Sequence, residues 1–387
     1  MAGLAPAATG VDPDRGRRRS WHEHWLGVRN RLIGSPRFQR WAAGFPLTRP
    51  IAARRTRALF DLVAGFVYSQ VLSACVGLDL FRILAPGPQS IPALATRLAL
   101  GEPAAERLLK AAAALDLVER LKDGRYGLGQ LGAALLGNPA VTAMIAHHTM
   151  LYADLADPIA LLRGELAAPQ LAPFWPYANS ADPAAVAPDR VRAYSALMAQ
   201  SQALVAGEIL DAYPLGRHRC LLDIGGGEGV FLTVAGTRTP GLRLMLFDLP
   251  AVVERAPARL AAAGLAERAT VSGGNFFEGP LPPGADVISL VRVLHDHDDA
   301  AALAILQRAR AALPADGRLL IAEPMSGTAG AAPAGDAYFG FYLAAMGSGR
   351  PRTPDELSDL LRRAGFRAAR LLATRTPLVV RVMLACI

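Results

Sequence analysis

Apolar residues recur along this chain with two rhythms, and the change of rhythm divides it. Beyond residue 217, apolar runs of strand length at 219–224, 242–247, 269–272, 285–291 and 318–322 are separated by stretches long enough for helices, such as 251–263 and 300–313. That alternation predicts a parallel sheet joined by crossover helices. The last two runs, 370–373 and 378–386, lie too close together to enclose a helix and are expected as antiparallel neighbours. Earlier in the chain the rhythm is helical. Leu59, Leu62, Val63, Phe66 and Val67 recur at helical spacing, Pro86-Gly87-Pro88 interrupts, and 90–98 and 103–117 resume as helices. Residues 123–128 read as a hairpin turned at Asp123-Gly124. Helices followed by a small hairpin predict a winged-helix unit. Phosphate recognition needs many basic side chains and this unit has few, so packing or dimerisation is expected of it rather than DNA binding. From 142 to 207 the pattern is helical again, broken at 169–188 by a proline-rich aromatic stretch with Phe174, Trp175 and Tyr177. That stretch suits either a wall of an apolar pocket or an ordinary connector.

The chain has 387 residues, 52% hydrophobic and 19% charged, enough for two domains and an extension. Cys75, Cys220 and Cys386 are too scattered for a zinc site or a disulfide framework, which fits a reducing cytoplasm. The arginines near the start are not followed by an apolar stretch with a cleavage site, so no secretory signal is expected. The longest apolar region, 58–84, is interrupted by Asp61, Gln70, Asp79 and Arg82, and no membrane-crossing helix is expected there. Charge changes the picture more. Residues 1–57 hold twelve arginines against Asp12, Asp14 and Glu23, a net of +9, while the remainder of the chain sums to −1. With Trp21, Trp25, Phe38, Trp41 and Phe45, this basic arm could rest on an anionic membrane. Nucleic acid and plain solvation are the alternatives.

The first strand of the sheet runs into Leu222-Asp223-Ile224-Gly225-Gly226-Gly227-Glu228-Gly229, a glycine turn that opens a helix. Glycines permit positive φ and leave no side chain between backbone and ligand. A dinucleotide fingerprint starting at Gly225 needs glycine where Val230 stands, and a phosphate loop needs a lysine that is absent nearby. The next strand ends in Phe247-Asp248-Leu249-Pro250, where a carboxylate can accept both hydroxyl hydrogens of a ribose. An adenosyl ligand without pyrophosphate suits the set, with Asp223 facing a positively charged methionine moiety; a merely structural turn is the alternative. The run Val293-Leu294-His295-Asp296-His297-Asp298-Asp299 follows the fourth strand at the same sheet edge. A histidine there can accept a proton at cell pH. It could equally be a structural hydrogen-bonder, or share a metal with its acidic neighbours. Asp298 or Asp299 serving as a helix N-cap is the reading preferred over a metal, and none is expected.

At this point the residues resemble the plant-type, or caffeate-like, small-molecule O-methyltransferases. The likeness covers roughly residue 58 to the end, through "LDIGGGEG", "FDLP", "GGNFF", "VLHDHDD", "GRLLIAEPM" and "RTPDEL" followed by "AGF". It implies an α/β Rossmann-like methyltransferase domain, with a mostly parallel sheet and an antiparallel last strand, beside a helical winged-helix dimerisation domain. The expected organisation is a basic arm over 1–57, dimerisation domain over 58–140, helical connector and substrate pocket over 141–207, and catalytic domain over 208–387. By resemblance, Gly225, Gly226 and Gly227 hold the methionine end of S-adenosylmethionine, Asp248 with Leu249 the ribose, and Asn275 with Phe276 the adenine. Arg292 is assigned to the same site. The family usually has aspartate where Asn275 stands, but an amide oxygen can still meet the adenine amino group. His295 occupies the place of the family's catalytic base, and Glu323 is expected to orient it through its other ring nitrogen. A second glutamate that the family often carries just before "RT" is replaced by Pro351.

Residues 35–56, 59–70 and 144–158 resemble more narrowly the bacterial carotenoid O-methyltransferases, which act on tertiary hydroxyls of acyclic carotenoids. That resemblance implies a homodimer, an apolar substrate and no nucleic acid. It also fits a cytoplasmic protein held on the membrane by its arm. His148, Tyr152, Phe174, Trp175, Met198, Phe339, Tyr342 and Met346 are the candidate lining of an apolar tunnel, each also plausible as plain core. Two alternatives stay open: a phenolic, quinol or polyketide hydroxyl as acceptor, or a non-catalytic winged-helix regulator, against which the intact "LHDHDD" run argues.

Overall fold

The computed structural model describes residues 20–174 and 188–387, so Trp175, Tyr177 and Arg15 to Arg19 of the arm lie outside the described residues. Contacts divide the chain into two units, Met1–Leu72 and Ser73–Ile387. In the first, α1 (Trp21–Ile33) opens with a capping box: Ser20 Oγ accepts the Glu23 amide and the Glu23 carboxylate accepts the Ser20 amide. Pro36 then opens α2 (Pro36–Gly44), where its missing amide proton costs nothing, and α3 (Arg49–Gly77) runs on past the end of the unit. Helix α3 passes residue 57 without a break. By length and composition it is also apolar enough to cross a membrane, because Asp79 and Arg82 fall beyond its end and only Asp61 is charged after Arg57.

The second unit begins with the expected helices and hairpin. Short helices Leu80–Leu84, Ile91–Arg97 and Glu102–Ala114 precede β1 (Val118–Arg120) and β2 (Tyr126–Leu128), which pair antiparallel around Gly124 at φ 85°. Helices Pro139–Asp154 and Pro188–Ala212 then lead to the main sheet. Its strands are β3 (Cys220–Ile224), β4 (Arg243–Asp248), β5 (Ala269–Gly273), β6 (Val287–Val291), β7 (Arg318–Glu323), β8 (Ala368–Leu372) and β9 (Arg381–Cys386).

The order across the sheet is β5-β4-β3-β6-β7-β9-β8, with every pairing parallel except those of β9. The two terminal strands are antiparallel neighbours, as their spacing demands. Strands β3 and β6 are buried along their whole length, because apolar clusters cover both faces of the sheet. From β3 the chain steps outward to β4 and β5, then returns to lay β6 on the other side. That reversal leaves a crevice at the carboxyl ends of β3 and β6.

At the opposite, amino end, Asp286 locks the same two strands. Its carboxylate accepts the amides of Cys220 at 2.7 Å and Arg219 at 3.0 Å, and His218 Nδ1 lies 3.2 Å away. Burial raises the Asp286 pKa, but the two amides and His218 more than offset it and hold the carboxyl below its ordinary value. This stabilisation is therefore present above the ordinary carboxylate range and is lost as pH falls through the depressed value. Asp286→Ala, which strands two amides, is expected to cost about 1–3 kcal/mol in denaturant unfolding near neutral pH. Ligand binding at the far edge of the sheet should hold.

Candidate functional site

The crevice is built by the glycine turn. Gly225 and Gly227 sit at φ 68° and 61°, where a side chain would be strained. A Cβ on Gly225 would lie 2.7 Å from Val293, and one on Gly226 would lie 2.6 Å from Asp223 Oδ2. Asp223 is fully buried; Ser289 Oγ donates to its Oδ1 at 2.6 Å, while Oδ2 has no hydrogen-bond partner. Burial raises its pKa to about 7 despite the serine. Asp248, at the end of β4, accepts the amides of Gly227 (2.8 Å) and Leu249 (2.7 Å), one on each oxygen, and burial raises it to about 6. Each oxygen keeps a lone pair free for a further donor.

One cavity gathers most of the residues singled out from the sequence: Gly225, Gly226 and Gly227 after β3, Asp248 and Leu249 at the end of β4, Asn275 and Phe276 after β5, and Arg292 after β6. Asp223 lies behind its floor. Asn275 is already engaged, with Oδ1 accepting the Phe277 amide and Nδ2 donating to Glu278. Arg292 holds a left-handed backbone, φ 59°, and reaches Ser201 Oγ at 2.6 Å and the Met198 sulfur at 3.1 Å. Such strain at a cavity wall persists only where the surroundings over-determine it.

His295 stands beside this cavity rather than in its wall, 4% exposed, in the short turn Leu294–Asp296. Its Nε2 lies 3.2 Å from Asp296 Oδ1, and its Nδ1 is buried without a hydrogen-bond partner. Burial pushes its pKa down to about 3, helped by Arg292, Arg352 and His297. Glu323 is fully buried and held at about 7 by burial, but it does not meet the ring. Its Oε2 accepts the His295 backbone amide at 3.1 Å, so the expected ring contact is replaced by a backbone one. The capping expectation also needs correction. Asp298 is the N-cap residue by position, yet its side chain accepts the Gly349 amide instead, and Asp299 binds Arg350 and Arg352.

Of the tunnel candidates, Met198 lines the cavity itself. Phe174, Tyr342 and Met346 belong to one apolar cluster with Leu151 and Leu171. His148 Nε2 and Tyr338 OH meet at 2.7 Å, Tyr152 lies edge-on to His148, and Phe339 is 6.2 Å from the His295 ring. Trp175 lies outside the described residues. Sequence reasoning missed Ser289, Ser201, His147, Tyr338 and Arg352. His147 pairs with Tyr342 at 2.9 Å, and Tyr338 was legible only as one more aromatic in a run. Nothing local marks a serine in the middle of an apolar strand as the partner of a buried aspartate two strands' sequence away. Among the described residues, no cluster of three or more His, Cys, Asp or Glu could hold a metal ion.

A doubly wound sheet with a glycine-lined adenosyl-type cleft and a buried histidine at its edge defines a class, and comparison with known proteins defines the family. Residues 152–367 match the O-methyltransferase domain and 60–138 the O-methyltransferase dimerisation domain, and the chain belongs to this S-adenosylmethionine-dependent O-methyltransferase family. It is 48% identical over 360 residues to demethylspheroidene O-methyltransferase of Cereibacter sphaeroides, covering 93% of this chain and 94% of that protein. To the enzyme of the same name from Rhodobacter capsulatus it is 42% identical, over 98% of this chain and 91% of that one. Among solved structures, the mitomycin 7-O-methyltransferase MmcR superposes with a TM-score of 0.72 at 25% identity, over 88% of this chain and all of that one.

The cavity fits the cofactor on its own evidence. Glycines leave room for the methionine end, the orphaned Asp223 oxygen lacks a cationic partner, and Asp248 retains acceptor capacity for two hydroxyls. Because a cation favours ionised Asp223, which is ionised only above about 7 in the free protein, cofactor affinity should rise from pH 6 to pH 8 in calorimetric titrations. Asp223→Asn should bind more weakly and flatten that dependence. Gly226→Ala, by driving a methyl onto Asp223, should lower the affinity at least tenfold, roughly 1.4 kcal/mol.

Proposed function

We propose that this enzyme methylates the tertiary hydroxyl of an acyclic carotenoid, with His295 as general base. What carries the reading is likeness extending beyond the catalytic domain: the relatives named demethylspheroidene O-methyltransferase align over 93% and 98% of this chain. In this reading the division into arm (1–57), dimerisation domain (58–140), connector (141–207) and catalytic domain (208–387) holds, and two copies pair through the second.

S-adenosylmethionine supplies a methyl carbon on a positively charged sulfur, open to in-line displacement. Gly225 to Gly227 with Asp223 hold its methionine end, Asp248 and Leu249 the ribose, Asn275 and Phe276 the adenine, and Arg292 braces the wall against the helix Pro188–Ala212. His148, Tyr152, Phe174, Met198, Phe339, Tyr342 and Met346 enclose the polyene. A tertiary alcohol is far less acidic than a phenol, and an imidazole depressed to about 3 is a weak base. Proton transfer to His295 therefore accompanies methyl transfer instead of preceding it, and the imidazolium forms beside the carboxylates of Asp296 and Glu323. Incubation with labelled cofactor and an acyclic hydroxycarotenoid should put the label on carotenoid. His295→Ala should lower kcat by about 10²–10⁴-fold with cofactor affinity nearly intact. Label on a phenol alone would overturn the substrate, and unchanged turnover in the variant would overturn the base.

The arm's proposed role is contact with an anionic bilayer. Trp21, Trp25, Val28 and Leu32 recur at helical spacing along one face of α1 and are all exposed, Trp21 by 84%. Residues 20–57 carry eight arginines against Glu23 alone, and they precede both matched domains. Indoles at the interface with guanidiniums on lipid phosphates suit that pattern. The full chain should co-sediment with phosphatidylglycerol vesicles at low salt and not with phosphatidylcholine alone. Trp21→Ser with Trp25→Ser should release it; retention by that double variant would refute this surface.

A further inference from the structure

The segment 348–352 wraps the turn that carries His295. Arg352, with no exposed surface, donates through Nη1 to the Leu294 carbonyl at 2.8 Å and through Nη2 to the His297 carbonyl at 2.6 Å. Its Nε donates to Asp299 Oδ1 at 2.9 Å. Ser348 Oγ donates to the Asp296 carbonyl at 2.9 Å, so three carbonyls around His295 are held by this segment. The backbone runs so close that a Cβ on Gly349, at φ 77°, would stand 2.1 Å from the His295 carbonyl. From the opposite side Glu323 accepts the His295 amide. No hydrogen bond fixes Nδ1, and Pro351, where the resemblance implies a second glutamate, offers no carboxylate.

We infer that Arg352 is a positioning residue for the base: its planar fork clamps the carbonyls on either side of His295, fixing the imidazole through the backbone where no carboxylate meets Nδ1. Guanidinium donates five hydrogen bonds in a rigid geometry, and a buried charged donor to neutral carbonyls makes strong ones. The inference rests on His295 being the base. Its electrostatic surroundings are Arg292 from the end of β6, Glu323 from β7, Asp296 and His297 from its own loop, and Arg352 itself. The guanidinium therefore also disfavours protonation of the ring it holds.

Full-length Arg352→Lys and Arg352→Met test this, with Asp299→Asn, which removes the negative charge paired with Arg350 and with Arg352 Nε, as a milder variant that keeps the carbonyl clamp. Three quantities are read: kcat and KM across pH, cofactor affinity by calorimetry, and the His295 ring nitrogen resonances, identified by their loss in His295→Ala. Arg352→Lys keeps the charge and loses the fork. Its kcat should fall about 10- to 100-fold, since misplacement by an ångström has that scale of effect. KM and cofactor affinity should stay within about twofold, while the ring resonances shift or broaden. In Arg352→Met the ring should titrate at higher pH than in the parent, carrying the acid limb of kcat upward, and Asp299→Asn should show a smaller loss in the same direction. An Arg352→Lys enzyme with parental kcat, or ring resonances indifferent to all three changes, overturns the clamp. If the resonances move as expected but no hydroxycarotenoid is methylated by the parent, the clamp stands and the substrate reading falls.

Discussion

One buried hydrogen bond lies at the centre of this protein. Ser289 on β6 donates to Asp223 on β3 at a place where the two residues are register partners, so the bond crosses the seam at which the sheet reverses its order. Both strands are wholly buried, and an unpaired carboxylate would be costly there. The serine satisfies one oxygen and leaves the other aimed at the glycine turn. That arrangement explains why the turn must be glycine: Gly226 presses on the aspartate and Gly225 on Val293 from the following loop. The glycine wall of the cavity thus depends on how β3 and β6 are tied.

Around His295 the protein concentrates groups that sit awkwardly out of water. A histidine held near 3 in the turn after β6, a glutamate held near 7 at the end of β7, an aspartate held near 7 on β3 and a fully buried arginine just before the helix Pro354–Arg363 all belong to this end of the sheet. Buried charged groups of this kind do little for stability, and strongly shifted groups at a cavity edge mark a candidate functional site. Glu323 and Arg352 both grip the main chain of the turn, while the ring itself meets Asp296 through Nε2.

The first unit obeys different physics. Among its described residues only Ala42 is buried, so α1, α2 and most of α3 carry their apolar side chains outward. Phe60, Leu62, Val63 and Phe66 fall within the stretch matched by the dimerisation domain, while Trp21 and Trp25 precede it. Two apolar surfaces with different charge surroundings point to two kinds of cover.

The local signals were strong enough to read much of this without coordinates. Alternating apolar runs placed all seven strands of the main sheet to within a few residues, and the short gap before the last strand required antiparallel pairing. Glycine spacing with Asp248 singled out residues that line one cavity, because backbone conformation depends on residues adjacent in the chain. Other features were settled only in three dimensions. That Glu323 meets an amide and not a ring, that Asp298 caps nothing with its side chain, that Ser289 satisfies Asp223 and that Arg352 clamps the turn of His295 all depend on partners dozens of residues away. Periodicity reports which face of an element is buried, but the choice of hydrogen-bond partner is made by the packing that brings distant strand ends to within 3 Å.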